Sequence, residues 1–378
     1  MMPKQDQKNI SYEDYIDRIS GESIPAYEPD IGDEELELIK DVIRSNWLSE
    51  GKYVREFEKQ LSTVCQRKYA LAFNNCTAAL ITGMKSLGIG PGDDVIVQSL
   101  AHSADPNAIS ATGARPLFSD VNKDTLCLDI DSIERVVTKS TKAVLHIALY
   151  GNTSDLDELT EYCKENDLFL INDCAPALFG CFRGRSIASY GDFSALSFFA
   201  DKTITTGEGG MLLTDNHEII SESNIYKHDG RRERGIDLIE RKGFNYRITE
   251  LQAAIGVAQM KKSDHFITQK KKNNKLYRNL LLNPKVKVFD FFDNEENIPH
   301  RNIIFVPSAP NLIEHLVSKG IGARTLFMPM HSQPVYDTGQ IFDTTEELYS
   351  TGICLPSAPT LKDSEIEYVC KIINKFVN

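Results

Sequence analysis

From residue 69 onward, short apolar runs alternate with amphipathic stretches. Residues 69–73, 94–98, 143–149, 168–173, 194–199 and 209–214 are rich in aliphatic, β-branched and aromatic residues, each long enough for one buried strand. Between them lie segments such as 77–88 and 155–167, with apolar residues at helical spacing. Strands alternating with helices predict an α/β fold, a mainly parallel sheet covered by helices on both faces. Ligands of such sheets gather outside the carboxyl ends of the strands, so candidate chemistry belongs there.

The pattern changes near residue 250. Residues 248–282 read as one long helix with a basic outer face, stopped by Asn283-Pro284. Beyond it come strand-like runs at 286–290 and 302–307, a helical stretch at 311–320 and an amphipathic helix at 364–376. The division predicted is an N-terminal arm at 1–30 packed on a large domain at 31–255. Residues 256–378 then form the long connecting helix and a smaller C-terminal α+β domain.

A chain of 378 residues exceeds what one hydrophobic core usually holds, which agrees with that division. Forty-two Lys and Arg against 54 Asp and Glu leave a net charge of −12, which disfavours nucleic acid and anionic membrane surfaces as partners. The polar start lacks the apolar core of an export signal, and no run reaches the roughly 18 apolar residues of a membrane span. Eight cysteines without a Cys-x-x-Cys pair read as reduced thiols of a cytoplasmic protein, with no metal site built from them.

Four strand-end segments carry candidate chemistry. Asn74–Leu80 opens a helix with small and hydroxyl residues, as either an ordinary cap or a cup of backbone N–H groups for a phosphate. Asp173 closes a strand and either caps the next turn or faces a ligand cation. Lys202 follows an aromatic strand and precedes Gly207-Glu208-Gly209-Gly210. It is either a surface lysine or a desolvated amine able to form a Schiff base. The glycine run lacks the spacing of both a Walker loop and a dinucleotide fingerprint. Asn245 and Arg247 lie at the entry to the long helix, as caps or as groups reaching another chain's site.

In this order the segments resemble fold-type I pyridoxal-phosphate (PLP) enzymes, and in detail the DegT/DnrJ/StrS family of sugar aminotransferases. The likeness rests on residues 88–99, 148–152, 191–211 and 243–259, and runs from about residue 24 to the C terminus. It implies an aminotransferase that uses pyridoxal 5'-phosphate. The amino group would pass from an amino acid such as L-glutamate to the keto group of a nucleotide-linked deoxysugar, in amino-sugar or surface-polysaccharide biosynthesis.

By the same resemblance Lys202 forms the Schiff base and then acts as a base, and Asp173 pairs with the pyridine nitrogen. His102 stacks on the cofactor, while Cys76, Thr77 and Ser197 hold its phosphate. Asn245 reaches the phosphate of a neighbouring subunit in a homodimer. His331 matches the acceptor-side histidine, while Arg324, Arg231 and Arg232 either face the acceptor or are solvated surface charges, and Tyr27 and Trp47 lie near the mouth; the single Trp could equally be core. Related deoxysugar dehydratases carry histidine at the lysine position, so Lys202 favours amino transfer over elimination. Three positions depart from the family pattern: Pro176 for a polar residue, Cys76 for glycine and Asp105 for Ser or Thr. An added carboxylate at Asp105 would repel a substrate anion or accept a sugar hydroxyl. Together the departures leave a small phosphorylated ketone, such as dihydroxyacetone phosphate or a keto-sugar phosphate, as the alternative acceptor.

Overall fold

The computed structural model describes residues 24–233, 235–291 and 296–377. Helices α1 (Asp33–Ser45) and α2 (Lys52–Val64) lead into β1 (Tyr69–Phe73) and α3 (Cys76–Ser86). Then follow β2 (Asp94–Gln98), α4 (Ala104–Thr112), β3 (Arg115–Ser119), α5 (Ile130–Glu134), β4 (Thr141–Ile147), α6 (Leu156–Glu165) and β5 (Phe169–Asp173). A small hairpin, β6 (Cys181–Phe182) and β7 (Arg185–Ser186), precedes β8 (Phe193–Ser197), β9 (Gly210–Thr214) and α7 (His217–Lys227).

Seven strands form one sheet in the order β1-β9-β8-β5-β4-β2-β3. β8, β5, β4, β2 and β3 run parallel, and β9 is antiparallel to both β1 and β8. The central strands are buried on both faces, which is why they read as continuous apolar runs rather than alternating ones. β3 was not predicted from the sequence, because it begins Arg115-Pro116 and its outer half is half-buried or exposed. It lies at the edge of the sheet, where a missing N–H is tolerated.

The predicted long helix is two: α8 (Glu250–Lys261) and α9 (Ser263–Leu280), with Lys262 at the break. Lys262 Nζ is held there by Asp30 Oδ1 at 3.0 Å and Glu35 Oε1 at 2.9 Å. α8 packs against α1 and α2, and α9 packs against the C-terminal helix. The chain changes direction where the packing partner changes.

Beyond α9 lie β10 (Lys287–Val288), β11 (Asn302–Phe305), α10 (Ala309–Ser318), β12 (Arg324–Thr325), α11 (Asp343–Thr351), β13 (Gly352–Leu355) and α12 (Asp363–Val377). The four strands form an antiparallel sheet, β10-β11-β13-β12. Its core includes Tyr277, Ile304, Leu316, Ile353 and Ile366. Ile24 joins that same core and bridges to Ile321, so this part of the predicted arm packs on the C-terminal unit and not on the large sheet. Residues 1–23 of the arm lie outside the described residues. Among the described residues no helix is long and apolar enough to cross a membrane, and all eight cysteines are free.

Candidate active site

The carboxyl ends of β1, β5 and β8, the loop after β2 and a flap from the C-terminal unit surround a cavity of about 390 Å³. At one end β1 turns through Asn74 and Asn75 into α3. Asn75 caps that helix, its Oδ1 accepting the Ala78 N–H at 2.8 Å, while the Asn74 N–H donates to Tyr246 O at 2.9 Å. The N–H groups of Cys76 and Thr77, the first helical residues, have no carbonyl one turn earlier to bond to, so they are available to an anion. Gly210 on β9 lies against this turn. A Cβ there would collide with the Asn75 carbonyl and Cys76 N, so the glycine run is explained by close backbone approach.

Asp173, 5% exposed, accepts the Ala175 N–H on Oδ1 at 2.8 Å, and Cys76 Sγ lies 3.8 Å from the same oxygen. Burial, then the neighbouring Asp173 and Asp105, push the Cys76 thiol well above its ordinary range. It stays a neutral thiol and not a nucleophile. Asp105, only 1% exposed at the start of α4, meets the Asp173 carboxylate. The sequence placed Asp105 on the acceptor side. In the structure the side chain is buried against Asp173 in the wall of that same cavity.

Lys202, 18% exposed, enters the cavity from the loop after β8, its Nζ 3.6 Å from Asp201 Oδ1. Asp201 is the centre of a cationic cluster. It is ion-paired to Arg301, lies 3.9 Å from Arg324 Nη2, and its backbone carbonyl is 3.2 Å from His300 Nε2. Burial alone would raise the Asp201 carboxyl, but Lys202, Arg301 and Arg324 outweigh it and hold it below the usual carboxylate range. Burial, reinforced by Lys202 and Arg301, keeps His300 neutral. Buried Lys270, whose Nζ lies 3.4–3.5 Å from the His300 and Ser357 carbonyls, is lowered to about 7, first by desolvation and then by Arg301.

An aromatic wall closes another side. Tyr150 stacks on Phe327 with centroids 5.4 Å apart, and its hydroxyl accepts the Phe327 N–H at 3.0 Å. His102 meets Phe327 edge-on at 5.4 Å. The Ala104 N–H donates to His102 Nδ1 at 3.1 Å, which leaves the ring proton on Nε2. Desolvation in the cleft, then the Lys202 charge, lower the imidazole below its ordinary value. Ser197 and Pro176 also line the cavity, the proline offering no donor.

The remaining candidates divide. Arg324 lines the cavity with its guanidinium 5.8 Å from the Phe327 ring centroid, and Tyr27 lies under Arg301 at 5.0 Å. His331 does not line it: this ring is buried, with Nδ1 2.6 Å from Ser99 Oγ and Nε2 3.2 Å from Glu346. It ties the loop after β2 to the C-terminal unit. Arg231 and Arg232 lie on a separate surface pocket with Trp47 and Arg247, Arg231 paired to Asp237 at 3.1 Å and Arg232 to Glu240 at 2.9 Å. Trp47 is 57% exposed, so it is not a core residue. Asn245 is exposed near that same surface, bridged to His228. Asp201, Tyr150, His300, Arg301 and Phe327 went unremarked in the sequence. Asp201 adjoins Lys202 and was readable there, whereas the others enter from segments distant along the chain.

Comparison with known proteins matches residues 29–374 to the model of the DegT/DnrJ/EryC1/StrS aminotransferase family. A curated relative, GDP-perosamine synthase of Escherichia coli O157:H7, is 35% identical over 364 residues, covering 93% of this chain and 98% of the relative. Among solved structures, the aminotransferase TlmJ from Streptoalloteichus hindustanus superposes with a TM-score of 0.90 at 25% identity, covering 94% of this chain and 98% of its own. DesV from S. venezuelae, solved in complex with a ketimine intermediate, gives 0.87 at 27% identity, covering 91% and 94%. The fold is that of the fold-type I PLP-dependent sugar aminotransferases.

Proposed function

Because the chain belongs to the DegT/DnrJ/EryC1/StrS aminotransferase family, we propose that it is a PLP-dependent enzyme. It moves an amino group from an amino acid, L-glutamate, to the keto group of a nucleotide-linked deoxysugar. The observation that carries this reading is one cavity that joins Lys202, Asp173 and the open start of α3. Its volume lies in the range of small-molecule sites. An amine, an acid for a ring nitrogen and free N–H groups for a phosphate are the three contacts pyridoxal phosphate requires, so the residues fit the group.

When bound, that cofactor supplies an electron sink for bonds broken at the carbon that gains or loses nitrogen. The remaining tasks fall to side chains of this chain. Lys202 Nζ would anchor the cofactor and, as a free amine, would accept and return the proton moved during amino transfer. Asp173 keeps the ring nitrogen protonated. Cys76 and Thr77 N–H groups, with Ser197, bind the phosphate, and neutral His102 covers the ring. Arg324 lies beside Lys202 and faces the anionic parts of donor or acceptor.

The name of the E. coli relative supports a GDP-linked acceptor, and we place the reaction in amino-sugar or surface-polysaccharide biosynthesis. We read the enzyme as a cytoplasmic homodimer, with Asn245 of one copy completing the phosphate end of the neighbouring site. The test is the visible absorption of the purified protein with pyridoxal phosphate, together with glutamate-dependent amination of a GDP-linked keto-sugar. Lys202→Ala is expected to lose the protein-linked absorption and at least about a thousandfold in rate, the scale of losing a covalent base. An unchanged spectrum with full activity would overturn the assignment.

A further inference from the structure

Asp105 places a second acid where Asp173 already serves. It stands in the first turn of α4, 1% exposed, and lines the cavity with Asp173. The two carboxyls are not equivalent. Asp173 Oδ1 receives the Ala175 N–H and the Cys76 thiol contact, whereas Asp105 Oδ1 is buried with no hydrogen-bond partner among the described residues. Two carboxylates in contact cannot both keep their charge cheaply, because like charges repel strongly where water is excluded.

The titratable groups facing Asp105 are Asp173 from β5, Cys76 from α3 and Lys202 from the loop after β8. Lys202 favours a charged Asp105, and the α4 dipole acts in the same direction. Burial first, then Asp173, outweigh both and hold the Asp105 carboxyl well above the ordinary carboxylate range. A Ser or Thr at this position would carry no such titratable proton.

We propose that Asp105 and Asp173 share one proton in the cofactor-free protein, and that this proton leaves the pair when the cofactor's ring nitrogen is seated against Asp173. The cofactor's identity here rests on the function proposed above. The Asp105 O–H bond breaks and its electron pair stays on the carboxylate oxygen. The proton passes to a neutral ring nitrogen, or to solvent where that nitrogen arrives already protonated. Either way two carboxylates end facing one N–H cation, and Asp105 sets the proton count of cofactor uptake.

Two measurements on the full-length protein and its Asp105→Asn and Asp105→Ser variants test this. In infrared difference spectra of cofactor-free protein near neutral pH, wild type minus variant is expected to show a protonated-carboxyl stretch. Its absence overturns the shared proton. Calorimetric titration with pyridoxal phosphate, in two buffers of different ionisation enthalpy, counts protons exchanged. Wild type is expected to release about one proton more, or take up about one fewer, than either variant; equal counts overturn the release. Failure of the wild type to take up pyridoxal phosphate would sink the proposed function and the release step with it, while the infrared band still decides the shared proton. Asp105→Ser carries both measurements if the amide variant does not fold.

Discussion

Single side chains in and around this cavity are set by burial as much as by charge, and Lys270 shows the consequence most directly. Its folded pKa of about 7 lies below the roughly 10.4 of an unfolded lysine. Between those values the unfolded chain binds a proton that the folded one does not, so stability rises with pH across the window. Lys270→Met is therefore expected to stabilise the protein at pH 7, by about 2–4 kcal/mol for a buried amine held only by two long bonds to carbonyls. Thermal melts from pH 7 to 10 check this: the wild type should climb toward the variant, and parallel curves would refute it. Asp105 acts with the opposite sign. Its raised pKa contributes stability at acid pH that is lost as pH rises through the folded value. Neither effect was legible in the sequence. Lys202 and Asp173 stood out through the order of the strand-end segments and the family resemblance, not through spacing alone. The contact of Asp105 with Asp173 depends on which loops meet, and His331 read as a site residue although its ring is engaged by Ser99 and Glu346.

At the scale of elements, helix starts do most of the positioning, and one is held from far along the chain. α2 begins after Gly51 without a side-chain cap of its own. Glu250, 199 residues away at the start of α8, supplies the acceptors: Oε1 takes the Gly51 N–H at 2.6 Å and the Val54 N–H at 3.0 Å, and Oε2 takes the Tyr53 N–H at 3.0 Å. The carboxylate is buried, and it meets both the orphan N–H groups and the positive end of the helix dipole. Glu250→Ala is expected to cost about 2–4 kcal/mol, because two buried donors and a half-buried one lose a carboxylate acceptor. Chemical denaturation would show a lower midpoint at unchanged slope, and a loss under about 0.5 kcal/mol would show that water replaces the carboxylate. The sequence announced α8 itself through its apolar spacing, but not this cap, since nothing local pairs residue 250 with residue 51. The missed break at Lys262 has the same origin: helical periodicity continues across it, and the turn comes from Asp30 and Glu35.

For the whole molecule, the segment after α7 exposes more apolar surface than a soluble monomer gains from. Ile236, Leu238 and Ile239 are 50%, 63% and 53% exposed, Phe244 is 46%, and Trp47 and Leu48 project from the loop after α1 at 57% and 51%. Trp47, Gly235 and Asp237 line one surface pocket, so two of these stretches form a common face. Contiguous apolar surface of this kind marks an association site. Its occupant in the proposed dimer is a second copy, which also explains why exposed Asn245 adjoins it and lies outside the Lys202 cavity. Leu238→Asp places a charge in that face while leaving the cavity of its own chain untouched. Sedimentation at micromolar concentration is expected to shift from dimer to monomer, and pyridoxal phosphate should be lost more readily from the monomer because the phosphate end lacks Asn245 from the neighbour. Asn245→Ala should reproduce the weaker retention without the change in assembly. A monomeric Leu238→Asp that held pyridoxal phosphate as firmly as wild type would show that each chain completes its own site.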